Sequence, residues 1–212
     1  MQTNPRFQKW CDWLKTIAYH VQMLYLYRNI FQTIDGIVES NPNINKQHLF
    51  LGFLANTYID SVVMGIRRQL KTNNESVSLA RLLDELAKHA ELVIRTDFYA
   101  HYERSDSPQV KILAQEVFNR YADPTSPHID GARVEKDKAK LKSVCETAER
   151  YADRRVAHWD IQKPVPNLSY EDINSALDSV SEIVHKYYLL LFGTHLELKP
   201  GLPYPISDIF KE

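Results

Sequence analysis

Apolar residues recur at intervals of three and four positions along most of the chain, which is the spacing of one face of an α-helix. The first predicted helix covers about residues 7–38 and ends at Asn41-Pro42-Asn43, because proline interrupts helical hydrogen bonding. Its stripe contains Trp10, Leu14, Ile17, Val21, Leu24 and Val38. Stripes of the same kind predict five further helices, at about residues 46–70, 77–90, 108–121, 132–158 and 169–191.

The second predicted helix is apolar on most of its sides. One face carries Phe50, Phe53, Leu54, Thr57, Tyr58, Ser61, Val62, Gly65 and Ile66, and much of the other carries Leu51, Ala55, Ile59 and Val63. A helix of this kind is expected in the centre of a bundle. Gly65 is expected to let a neighbouring helix approach closely, since glycine has no Cβ.

The pattern predicts an all-α, up-down bundle of five to six helices joined by short connections. The chain has 212 residues and only six glycines, and no Asn-Gly or Asp-Gly hairpin separates alternating runs. Ser169 with Asp172 approximates a capping box at the start of the last helix. We predict one helical domain over residues 1–195 and an extended, proline-containing tail over residues 196–212.

The charge balance argues against a protein that coats DNA, which would carry a basic excess. The chain has 26 basic and 27 acidic residues and a net charge of −1. Cys11 and Cys145 lie on apolar helical patterns, as expected of reduced core thiols. The N-terminus has no signal pattern, and no run approaches the about 20 apolar residues that span a bilayer. The sequence therefore predicts a cytoplasmic protein without membrane contact.

The richest chemistry lies in residues 151–160, YADRRVAHWD, where two arginines, an acid and a histidine fall within two helical turns. We predict that this segment continues a buried stripe formed by Leu141, Val144, Ala148, Tyr151, Arg155 and His158. The apolar face would then end in a guanidinium and an imidazole. Charged groups withdrawn from water need partners or a function.

Two separated strings resemble a known family. The first is Ile66-Arg67-Arg68-Gln69-Leu70, followed after a polar gap by Ser78-Leu79-Ala80-Arg81-Leu82-Leu83. The second is Tyr151-Ala152-Asp153-Arg154-Arg155-Val156-Ala157-His158. Together they resemble the AbiU-like branch of the HEPN superfamily, over roughly residues 47–191. This family comprises small helical proteins linked to abortive infection and other conflict systems, so the resemblance implies a four- or five-helix bundle that dimerises.

The resemblance also implies a site. In active HEPN proteins an arginine, a polar residue, a short spacer and a histidine form a ribonuclease motif, and two copies meet across the dimer cleft. His158 matches the motif histidine and Asp153 the polar residue. The motif arginine would stand six positions before His158, where this chain has Ala152. Arg150, Arg154 and Arg155 are the nearby candidates to replace it.

Metal-free RNA cleavage needs a base for the 2′-hydroxyl, an acid for the leaving oxygen and a cation for the phosphorane. Histidine suits proton transfer near neutral pH, and arginine suits phosphate. A single His158 supplies one proton-transfer group, whereas a two-fold dimer supplies two. Arg154 lies one turn before His158, and Asp153 is placed to orient an arginine or the imidazole.

Three interpretations of this segment stay open: structural or dimer packing, binding of RNA or nucleotide without cleavage, and metal-independent endoribonuclease activity. We favour binding, because Ala152 removes the usual phosphate clamp. Arg67 and Arg68 are expected either to complement the end of the second helix or to form a basic wall beside the same cleft, with Arg150 as a further nucleic-acid contact. We expect no cofactor and no metal, since the eight histidines form no metal-ligand pattern. The expected partners are a second copy of the chain, RNA or nucleotide, and a neutralising protein of the toxin–antitoxin kind.

Overall fold

The computed structural model describes residues 4–43, 48–103, 105–157, 166–199 and 201. Within them lie seven α-helices: α1 (Pro5–Ser40), α2 (Leu49–Gln69), α3 (Leu79–Lys88), α4 (Arg95–Ala100), α5 (Pro108–Asn119), α6 (Gly131–Tyr151) and α7 (Tyr170–Phe192). A 3-10 turn over Ala90–Leu92 precedes α4, and one turn of π-helix over Ala152–Ala157, here called the π turn, follows α6. Ile94 and His128 form an isolated antiparallel bridge, and the described residues contain no β-sheet. The predicted all-α class is confirmed.

The core lies between the four long helices. α1 packs against α2 and α7, and α6 packs against α2, α3 and α7. The largest side chains with essentially no exposure include Trp10, Tyr25, Phe118 and Tyr187. The predicted stripes therefore point inward on most helices, as the periodicity indicates. The six-residue α4 was missed, because it is too short to display a periodic stripe.

α2 is central for only half of its length. Its second half buries Val62, Val63 and Ile66 completely, whereas Leu49 and Phe53 at its start are 89% and 65% exposed. The expectation that this helix lies in the centre of the bundle therefore holds for its second half only. The apolar residues on the outer side of its first half face solvent and not a neighbouring helix.

α2 (Leu49–Gln69) also qualifies by length and composition as a helix that could cross a membrane, with a mean hydropathy of 1.5 over an 18-residue window within it. A count of consecutive apolar residues does not detect this helix, because polar residues such as Asp60 interrupt the run. One such helix is weak evidence, since core helices of soluble proteins have the same character. Here its second half is part of the core.

Both ends of α7 are fixed by local chemistry. The Ser169 side chain accepts a hydrogen bond from the Asp172 amide, and the Asp172 carboxylate accepts one from the Ser169 amide at 2.9 Å. The predicted capping box is therefore present. At the other end Gly193 has a φ of 65°, and a Cβ there would collide with His101. Only glycine fits this helix end without strain.

The segment after α7 packs on the bundle as far as it is described. Leu198 is completely buried, and the Gln22 side chain donates a hydrogen bond of 2.7 Å to the Glu197 carbonyl. Residues 202–212 of the predicted tail lie outside the described residues. The division into a domain over 1–195 and a tail over 196–212 stays a prediction.

Candidate functional site

The candidate site is built where α6 gives way to the π turn. α6 is preceded by its N-cap residue Asp130, whose side chain accepts a hydrogen bond of 2.8 Å from the Ala132 amide. It ends at Tyr151, and the backbone then continues without a break into the wider π turn. A π turn takes more residues per turn than an α-helix and is found often at functional sites. Residues 152–157, which carry the family-like string, occupy this turn.

The buried line of α6 shares Leu141 and Ala148 with the predicted stripe, but its other residues are shifted by one position. It passes through Leu141, Cys145, Ala148 and Ala152. The prediction had Val144 and Arg155 on this line, but both are exposed, and Tyr151 is half-buried. Both lines obey the three-and-four spacing, and the Cys145 thiol settles the choice because it faces the Ala176 carbonyl of α7 at 3.8 Å.

The apolar face therefore does not end in a guanidinium. It ends in Ala152, which is completely buried, and Val156, which packs against the core. The Arg155 side chain is exposed and has not left water, contrary to the predicted stripe. Ala152 occupies the place where the resemblance expects the motif arginine, so this chain has a core methyl group there and no phosphate ligand.

Asp153 joins the π turn to the end of α2. The Arg67 Nε donates a hydrogen bond to the Asp153 Oδ1, so the two side chains form an ion pair. The Arg67 side chain is 20% exposed and that of Asp153 is 44% exposed. The structure thus brings together two predicted site residues that are 86 positions apart in sequence.

The other predicted site residues are spread around the same junction. Arg150 is exposed and lies 3.9 Å from Glu146, one turn earlier on α6. Arg154 is half-buried, and Arg155 is exposed. His158, the predicted catalytic histidine, lies outside the described residues.

Arg68 faces a different side of α2 from Arg67. It lines a groove against α1, together with His20. Successive residues on a helix project about 100° apart, so neighbouring arginines reach different surfaces. These positions do not favour the alternative in which Arg67 and Arg68 form one basic wall beside the same cleft.

Sequence reasoning missed a polar cluster that links α1 to α7. The buried Tyr25 hydroxyl donates a hydrogen bond of 2.6 Å to Asp178, and Arg28 and Lys199 lie 3.2 and 3.5 Å from the same carboxylate. Burial raises the pKa of Tyr25, and its hydrogen bond to Asp178 raises it further. Burial opposes ionisation of Asp178, but the hydrogen bond from Tyr25 and the nearby cations bring the pKa of this carboxyl below its usual value. No periodic signal marked this cluster, because Asp178 lies at an exposed position of α7 outside its apolar stripe.

The chemistry of the described residues does not favour a metal or thiol site. No group of three or more histidine, cysteine or acidic side chains there could hold a metal ion. Cys11 and Cys145 are free and buried, as predicted, and burial raises the pKa of their thiols to about 11 and about 12. Thiols of this kind are protonated near neutral pH and are poor nucleophiles.

Comparison with known proteins supports the resemblance seen in the sequence. The family model for AbiU2, of the HEPN type, matches residues 7–208 and so includes α1 as well as the strings at α2 and α6. No curated protein and no solved structure matches the chain. Since the family model covers nearly the whole chain, the protein belongs to the HEPN_AbiU2 family.

Proposed function

We propose that this HEPN-type, abortive-infection family domain binds RNA or a nucleotide at the junction of α2, α6 and the π turn, without cleaving it. The observation that carries the proposal is the collection of arginines there. Arg67 lies at the end of α2, Arg150 in the last turn of α6, and Arg154 and Arg155 in the π turn, which contacts α2, in a chain whose net charge is only −1. Arginine matches phosphate oxygens in pairs, so such a cluster favours a polyanion.

The same junction argues against efficient cleavage. Ala152 contributes only a buried methyl group, and Arg67 is engaged by Asp153. A transition-state phosphorane needs a cation that is not neutralised by an adjacent carboxylate. Cleavage would also require His158 as acid or base, and a second copy to supply the other proton-transfer group.

The test measures binding and cleavage on one sample. A fluorescein-labelled single-stranded RNA is incubated with the protein in chelator, and both its anisotropy and its length are followed. Salt-sensitive binding of intact RNA is expected, weakened about tenfold or more by Arg154→Ala combined with Arg155→Ala. Arg120→Ala is the control. Arg120 is an exposed arginine that directly follows α5 and lies near the start of α6, at the end of that helix far from the π turn.

Two results would contradict the proposal. Cleavage that disappears in His158→Ala would replace it with ribonuclease activity. Equal loss of binding in Arg120→Ala and in the π-turn variant would mean that the arginines act only through total charge. Loss of a circular-dichroism melting transition in the π-turn variant is checked first, so that misfolding is not mistaken for lost binding.

A second proposal concerns self-association, in line with the expected homodimer. Leu49, Phe50 and Phe53 are exposed on one stretch of α2, and large apolar groups of this kind are typical of protein–protein contacts. We propose that this stretch is the surface on which two copies associate. Association there is also the basis of the non-catalytic scaffold alternative, in which the chain only pairs with protein partners.

Light scattering after gel filtration tests this surface. The wild-type protein should have the mass of a dimer, and Phe50→Glu with Phe53→Glu should reduce it to a monomer. The control is Ile112→Glu, because Ile112 on α5 is also exposed, at 56%. A monomeric wild type, or a dimer that is lost in the control instead, would show that α2 does not form the interface.

A further inference from the structure

The structure also contains a groove between α1 and α2 that is separate from the π turn. We propose that this groove binds a nucleotide, with a base against Tyr19 or Tyr27 and a phosphate at Arg68. The ligand class is a purine or pyrimidine nucleotide, free or within a single strand. This inference goes beyond the proposed function, because it uses none of the π-turn residues.

The floor of the groove exists because two helices approach closely. At Gly65 the missing side chain leaves room for Leu24, and a Cβ there would lie 2.8 Å from the Leu24 Cδ1. The groove above this contact has a volume of about 410 Å³. This is within the range of small-molecule sites, about 300–1,000 Å³.

One wall presents aromatic rings to solvent. Tyr19, Met23 and Tyr27 follow one another at four-residue steps along α1, and the two tyrosines are 60% and 40% exposed. Four-residue steps form one ridge on a helix, so the rings are separated by about 12 Å along the axis. Exposed tyrosine faces stack on any base, which contributes about 1–3 kcal/mol per base.

The other wall carries the exposed cation Arg68. Among the residues that the structure describes, no aspartate or glutamate lines the groove. Comparable basic pockets elsewhere in the described part of the chain do include carboxylates. Examples are Glu149 beside Lys71 and Lys142, and Asp137 beside Lys186. An anion entering the α1–α2 groove therefore meets a positive charge that is not cancelled locally.

His20 adds a polar group at the base of the wall. Its Nδ1 is enclosed and has no hydrogen-bond partner within the described residues. Burial, and then the charge of Arg68, lower the pKa of His20, so its imidazole is neutral near pH 7. A neutral imidazole offers one donor and one acceptor, which suits the edge of a base better than a second phosphate.

A peptide is the competing occupant, since Met23 and Met64 also line the groove. The nucleotide is favoured because the groove combines exposed aromatic faces with an uncancelled arginine. An apolar peptide would use the first feature and leave Arg68 without a partner. An acidic peptide would use Arg68 but would gain little from two tyrosine faces.

The experiment uses the full chain and two probes, AMP by calorimetry and a fluorescein-labelled 12-nucleotide uridine RNA by anisotropy. Tyr19→Ala and Arg68→Ala should each weaken binding about tenfold, and Arg68→Ala should reduce the salt dependence by about one phosphate contact. Tyr19→Phe keeps the ring and should bind within about twofold of wild type. Both residues are exposed, so the variants should keep the wild-type melting temperature.

The two probes distinguish the source of the nucleotide. Binding of AMP that depends on Tyr19 and Arg68 assigns the groove to a free nucleotide. Binding of the RNA alone, with the same dependence, assigns it to a single strand. No binding of either probe, or wild-type affinity in both groove variants, overturns the proposal.

The π-turn double variant Arg154→Ala, Arg155→Ala separates this proposal from the proposed function. If the groove acts independently, AMP binding persists in that variant. Binding that is lost only in the π-turn variant overturns the groove and leaves the proposed function intact.

Discussion

The first half of α2 is at least as apolar as the second, yet it is the more exposed of the two. Leu49 and Phe53 in the first half are mostly exposed, whereas Val62 and Ile66 in the second half are completely buried. α2 packs against α1, α6 and α7, and most of its fully buried residues lie in the second half. The difference therefore comes from the neighbouring helices, and hydrophobicity alone does not decide burial.

An aromatic stack marks the boundary between the halves. The rings of Phe31 and Tyr58 are parallel, with centroids 4.4 Å apart, and the Tyr170 ring lies 5.4 Å from Phe31 and 6.2 Å from Tyr58. This stack joins α1, α2 and α7. Residues of α2 before the stack contribute little to the core of one copy, so their apolar surface is available for association.

The largest expected effect is in the buried half. Ile66→Ala should lower the free energy of unfolding by about 2–5 kcal/mol, because it removes core contacts and leaves a cavity. Phe53→Ala should change it by no more than about 0.5 kcal/mol in dilute protein, since the ring is mostly exposed. Urea denaturation followed by circular dichroism measures both. A large loss in Phe53→Ala that grows with protein concentration would instead show that a second copy covers the first half.

Alanine substitutions of two glycines compare the same two halves with smaller expected changes in stability. A Cβ at Gly52 would meet nothing within 4 Å, so Gly52→Ala should stabilise the protein by about 0.5–1 kcal/mol through helix propensity. A Cβ at Gly65 would collide with Leu24, which is buried. Gly65→Ala should therefore be less stable than Gly52→Ala by about 1–3 kcal/mol. Thermal melts of both variants measure the difference, and equal stabilisation would mean that α1 and α2 are not in close contact.

The sequence was sufficient for the helices, because long periodic stripes and turn residues act locally. It predicted the start of α7 from Ser169 and Asp172, and it identified Gly65 as a point of close approach. These features depend on residues that are near in sequence or on a single missing side chain. They are the kind of information that spacing carries.

The sequence was not sufficient for the faces of α2 and α6. Val144 and Cys145 are both apolar, so spacing permits two adjacent buried lines, and packing on α7 selects the one through Cys145. The ion-pair partner of Asp153 could not be predicted from spacing either, because Arg67 is 86 positions away on another helix. Helical spacing separates Arg67 from Arg68, but only the structure shows that Arg68 lies beside α1 and that Arg67 contacts the π turn.

The pH dependence of stability also depends on the packed regions. Burial is the main cause that lowers the pKa values of His20, His101 and His185 below the usual value for histidine. The unfolded chain then binds protons that the folded chain resists, so stability is complete above about pH 6.5 and falls as the pH drops below it. Melting temperatures between about pH 7.5 and about pH 5 should decline.

His20→Gln isolates the contribution to this pH dependence of the histidine on α1 that faces the second half of α2. It should flatten part of this decline, since His20 is the histidine that lies beside Arg68. The contribution of acidic groups such as Asp178 to the pH dependence of stability is separate, because their lowered pKa values place it at more acidic pH. A decline of unchanged steepness would show that His20 is not enclosed.

The smallest effect on stability is expected at the ion pair between Arg67 and Asp153. Both side chains are partly exposed, so a double-mutant cycle with alanine at each position should give a coupling of about 0.2–1 kcal/mol, reduced in 1 M salt. The effect on ligand binding should have the opposite sign. Asp153→Asn removes a negative charge beside the arginines of the π turn and releases Arg67, so RNA affinity at low salt should rise about two- to fivefold. Lower affinity in Asp153→Asn would show instead that the carboxylate holds Arg67 in its binding position, which would make the ion pair part of the site and not a competitor for it.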